Sequence, residues 1–65
     1  MPFSPDKLAA EIRAAEISQA ELARESGITP VYLSRLTTGR RDDPSANVLQ
    51  RIAKVLRIKI DDLME

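Results

Sequence analysis

The side chains able to do chemistry here are ten carboxylates, ten Lys and Arg, one Tyr and a set of Ser and Thr hydroxyls, with no Cys and no His. Without Cys and His, disulfides, thiolate or imidazole metal sites and the usual general base are all excluded. The adjacent pairs Asp42-Asp43 and Asp61-Asp62 stand beside helix starts, where carboxylates favour the helix dipole. No hydroxyl has a base supplied for it and there is no Gly-rich phosphate loop, so neither an enzyme nor a cofactor is expected. What remains is recognition by charge and shape.

The net charge of zero hides an uneven distribution. Residues 1–34 carry three cations and five carboxylates, a net of −2. Residues 35–59 carry Arg35, Arg40, Arg41, Arg51, Lys54, Arg57 and Lys59 against Asp42 and Asp43, a net of +5. Asp61, Asp62 and Glu65 then return the sum to zero. The basic segment begins inside "LARESGITPVYLSRL" (Leu22–Leu36), a stretch helical at both ends with Gly, Thr and Pro near its middle.

The elements that must hold these side chains are marked locally. Phe3-Ser4 with Leu8, Ile17-Ser18 with Leu22 and Ile28-Thr29 with Leu33 repeat one pattern, a hydroxyl cap inside an apolar staple. Pro5 and Pro30 occupy first helical positions, where the missing N–H costs nothing. Ser18 to Glu21 has the form of a full capping box. The first helix is expected over Pro5–Ala15, with Leu8, Ile12 and Ala15 inward, and the second over Gln19–Ser26, ended by Gly27. The third is expected over Pro30–Thr37, ended by Gly39. A polar loop then leads to a fourth start at Ser45, after which Val48, Leu49, Ile52, Ala53 and Leu56 form a helical stripe. A last short turn, "IDDLM", offers Ile60, Leu63 and Met64 to the core.

Sixty-five residues make one domain near the lower size limit for an uncrosslinked core. No apolar run approaches the roughly 20 residues that span a bilayer, and the opening "MPFSPDK" lacks a basic-then-apolar leader. A cytoplasmic protein is expected.

Two short helices joined by a tight Gly-containing turn form either an ordinary helical hairpin or a DNA-reading helix-turn-helix. The outward face of the third helix bears on that choice. At 100° per residue, Leu33 and Leu36 set the buried direction, and Val31, Ser34, Arg35 and Thr38 fall roughly opposite. No acid occurs between Glu25 and Asp42. A surface entering a groove between phosphates would need that absence, because carboxylates there are repelled and desolvated.

The chain resembles the Cro and lambda-repressor-like (XRE) helix-turn-helix family from about Ile12 to Met64, through "SQAELARESGIT", "YLSRL..GRR", "PS..VLQRIAKVL" and "IDDLM". The resemblance implies an all-α, compact five-helix lambda-repressor-like bundle spanning 1–65, with the third helix in the major groove of double-stranded DNA. It places Thr29, Pro30, Val31, Ser34 and Arg35 at base-reading positions. Arg35 is able to fork onto guanine and Val31 to touch a thymine methyl, while Pro30 stands where other members carry a hydrogen-bonding side chain. It places Gln19, Tyr32, Thr38, Arg40 and Arg41 on the DNA backbone. Plain capping for Thr29, a phosphate contact for Arg35, solvation at the helix start for Gln19, packing over the second helix for Tyr32 and solvation for Arg40 and Arg41 are the alternatives.

Two departures from the family pattern stand out. Thr37 replaces a Glu that forms an ion pair in many members, and Arg57 replaces a Gly after the fourth helix. A left-handed Arg57 would cost about 1 kcal/mol relative to Gly, so a different helix ending is expected.

The implied function is a transcriptional regulator, a repressor acting as a homodimer on an inverted repeat, paired through Lys54, Ile58, Ile60, Leu63 and Met64. The alternative is a protein-interaction module, such as an antitoxin or a polymerase-docking adaptor. Met1 and the closing "IDDLM" carry the expectation that the chain is complete.

Overall fold

The computed structural model describes residues 2–65; Met1, on which the expectation of completeness partly rests, lies outside them. The elements are α1 (Pro5–Ala15), α2 (Gln19–Ser26), α3 (Pro30–Thr38), α4 (Ala46–Leu56) and a 3-10 turn (Ile60–Leu63). Each helix begins where a hydroxyl accepts from the third backbone N–H beyond it. Ser4 accepts from Lys7, Ser18 from Glu21, Thr29 from Tyr32 and Ser45 from Val48, at 3.1–3.2 Å.

The capping box at Ser18 is only half made. The Glu21 carboxylate turns instead toward Arg24, 3.7 Å away. The complementary carboxylate-to-backbone bond appears at the 3-10 turn, where Asp62 accepts from the Lys59 N–H at 3.0 Å.

The helix ends are left-handed, and two of them are built alike. After α2, Gly27 takes φ 72° and the Ile28 N–H reaches back to the Ala23 carbonyl at 3.0 Å. After α4, Arg57 takes φ 58° and the Ile58 N–H reaches the Ala53 carbonyl at 3.0 Å. In both cases the chain satisfies last-turn carbonyls and tucks the next residue, an Ile, against the core. Arg57 thus takes the left-handed place for which a different ending was expected.

Leu8, Leu22, Leu33, Leu36, Ile52 and Leu63 are fully buried, one or two from each element, with Phe3, Ile12, Leu49 and Leu56 around them. Ala15 lies on the inward stripe of α1, at its last turn, yet is exposed. The fold is all-helical, but with four α-helices rather than five. The fifth element is one 3-10 turn, since only four residues lie between the extended Lys59 and the extended Met64.

The two ends of the described chain are clasped together. Phe3 and Met64 form an isolated antiparallel bridge, Ser4 N–H donates to the Leu63 carbonyl and Glu65 N–H to the Pro2 carbonyl, each at 2.9 Å. Lys7 Nζ donates to the Met64 carbonyl at 2.7 Å. This clasp holds Leu63 inside, so the side chain expected on a dimer surface is part of the core.

Candidate nucleic-acid interface

The projection of α3 starts at its two ends. Gly27 turns the chain, Thr29 is extended at φ −77°, and Pro30 begins the new helix. Gly39, at φ 81°, ends it. Between them Leu33 and Leu36 sit wholly in the core, which fixes the helix about its own axis. The opposite side must face outward. Val31 is 61% exposed, the large apolar side chain most open to solvent among the described residues, and Pro30, Ser34, Arg35 and Thr38 are exposed beside it.

Among the described residues, the Arg35 guanidinium has no ion-pair or hydrogen-bond partner, so its full fork of donors is free. Ser34 likewise makes no side-chain hydrogen bond among the described residues. The Thr29 hydroxyl accepts from Tyr32 N–H and keeps its proton to donate outward. Thr38 differs: its hydroxyl donates to the Ser34 carbonyl at 2.9 Å, so a phosphate would have to displace that bond. Thr37, which replaces the expected Glu, likewise bonds the Ser34 carbonyl at 2.9 Å and makes no ion pair.

The loop after α3 is tied back to it. Arg41 N–H donates to the Arg35 carbonyl at 3.1 Å, its Nε meets Asp43 Oδ1 at 3.1 Å, and its guanidinium stands 5.6 Å from the centroid of the half-buried Tyr32 ring. That distance is within cation–π range. Arg41 is therefore an organised cation, whereas Arg40 is exposed without a described partner. Asp43 spends its charge on Arg41, and the α4 cap falls to Ser45. Gln19 is exposed at the first position of α2.

Of the residues expected at a dimer surface, Lys54 is exposed and Ile58, Ile60 and Met64 are half-buried against the core. All four belong to α4 and the C-terminal segment beyond it, separate in the chain from the α3 face.

The comparisons with known proteins bear on this geometry. The family model described as helix-turn-helix matches residues 8–63. The chain belongs to the XRE family of helix-turn-helix proteins. HTH-type transcriptional regulators from two strains of Mycobacterium tuberculosis are 45% identical over 49 residues, covering 75% of this chain. The chain covers 34% of their length, about a third of each relative.

Among solved structures, the restriction-modification controller protein C.AhdI from Aeromonas hydrophila superposes with a TM-score of 0.86 at 27% identity, over 92% of this chain and 89% of that one. The biofilm master regulator SinR, in complex with DNA, gives a TM-score of 0.90 at 23% identity, over 94% of this chain and 100% of that one. The P22 c2 repressor, in complex with a synthetic operator, gives 0.84 at 23%, over 94% and 91%. The last two likenesses speak to fold.

Proposed function

We propose that this chain is a sequence-specific, double-stranded-DNA-binding transcriptional regulator that represses from an inverted repeat as a homodimer. The observation that carries this is the outer face of α3, where Val31, Ser34 and Arg35 are exposed together without a carboxylate. The fold and family membership support it, as does the DNA or operator present in the complexes of two structural neighbours.

Arg35 would fork onto the acceptors of a guanine, and Val31 would pack on a thymine methyl. Thr29 and Ser34 would add short contacts, and Pro30 would supply shape without a hydrogen bond. Gln19, Tyr32, Thr38, Arg40 and Arg41 would hold the phosphates, with Arg41 already positioned by Tyr32 and Asp43. Two copies would place their α3 helices about 34 Å apart, one turn of DNA. Ile58, Ile60 and Met64 remain as the proposed pairing surface, without Leu63, and Lys54 lies at its edge, exposed.

Selection of bound duplexes from a random pool tests the reading. Enrichment of an inverted repeat supports it, with two copies per duplex in sedimentation. Recovery of only weak, salt-sensitive binding with no consensus contradicts it.

A further inference from the structure

A cleft of about 590 Å³ opens between the end of α2 and the second half of α4, lined by Arg24, Glu25, Ser26, Gly27, Arg51, Lys54, Val55 and Arg57. None of these residues is on α3. Four cations face one carboxylate, a local charge of +3 in a protein whose net charge is zero.

Arg51, Lys54 and Arg57 recur at three-residue spacing, which keeps them along one side of α4 and its cap. Among the described residues none of the three has an ion-pair partner. All three are exposed, so their mutual repulsion is screened by solvent and they stand free to meet an anion.

One further observation points to the same cleft. Ser26 is 3% exposed, and its buried hydroxyl has no hydrogen-bond partner among the described residues. A buried donor of this kind ordinarily has one.

We propose that this cleft binds a small phosphorylated molecule, its phosphate held by Arg51, Lys54 and Arg57 beside Ser26. Guanidinium groups match phosphate oxygens in paired geometry, and Lys adds a compact charge. The volume suits a ligand larger than a free phosphate, within the roughly 300–1,000 Å³ of small-molecule sites. Val55 and the aliphatic stems of the cations meet its uncharged part.

The test is a titration of the full chain with inorganic pyrophosphate at constant ionic strength, monitored by amide NMR and calorimetry. Saturable shifts at residues 24–27 and 51–57 are expected, with affinity falling about tenfold in Arg51→Gln, one charge-assisted contact's worth. Arg57→Gly is the more telling variant, because it should raise thermal stability and yet weaken pyrophosphate binding. A purely structural Arg57 would do only the first. Shifts that never saturate, or that persist in an Arg51→Gln, Lys54→Gln double variant, overturn the proposal. So does a double variant that leaves pyrophosphate binding unchanged but lowers the salt slope of DNA binding, because the cations then serve the DNA backbone. Loss of self-association in that variant, with no pyrophosphate effect, overturns it in favour of the acidic segment of a second copy.

Discussion

Arg57 and Gly27 perform the same backbone task with opposite side chains. Both turn the chain out of a helix through the left-handed region, and both hand on to an Ile whose N–H bonds an Ala carbonyl five residues back. A Cβ in that region crowds the neighbouring carbonyl, so the Arg costs about 1 kcal/mol that Gly would not. Arg57→Gly is expected to raise the unfolding free energy by about that amount, read as a higher urea midpoint at unchanged slope. A lower midpoint would mean that the Arg57 side chain contributes more than the strain it imposes. Residue type foretold the cost, but the sequence did not reveal that the chain would accept it. The decisive term is tertiary, because Ile58 must reach the core from that corner.

Helices were the most readable level. The hydroxyl caps at Ser4, Ser18, Thr29 and Ser45 are local chemistry, complete within a single turn, and they appear where the spacing indicates. Ser45→Ala is expected to cost about 1 kcal/mol by removing the acceptor for Val48 N–H, measured by thermal or urea unfolding. A loss near zero would show that water replaces the cap. Side-chain partners within a single helix or loop were less readable. Glu21 turns to Arg24 instead of completing its box, Thr37 and Thr38 bend back onto the Ser34 carbonyl, and Asp43, beside the start of α4, pairs with Arg41. Each had more than one local partner within reach, so type and spacing could not separate them. The cleft cations show a tertiary limit, since Arg51 and Arg24 line one cleft only when α2 and α4 pack.

At the scale of the molecule, the clasp between the ends was not visible in the sequence. A single bridge between Phe3 and Met64 has no alternating pattern to announce it, and the apolar residues of "IDDLM" are equally suited to a core or a partner. The structure divides them: Leu63 is fully buried and Met64 half-buried. Leu63→Ala is expected to cost about 2–5 kcal/mol, a large share of the stability of so small a domain. Urea unfolding checks this, and a cost below about 1 kcal/mol would place Leu63 outside the core. What the whole chain makes is a rigid base from which α3 projects one uncharged-to-basic face.

The central claim is that Arg35 reads sequence, and it is tested most directly by anisotropy titrations of wild type and Arg35→Ala on the selected duplex and its single-base-pair variants at several salt concentrations. The expected result is a loss of about 1–3 kcal/mol of discrimination at one base pair per half-site, with the salt slope retained. Uniform weakening across all duplexes, with the slope reduced by about one, would make Arg35 a phosphate contact and contradict the account.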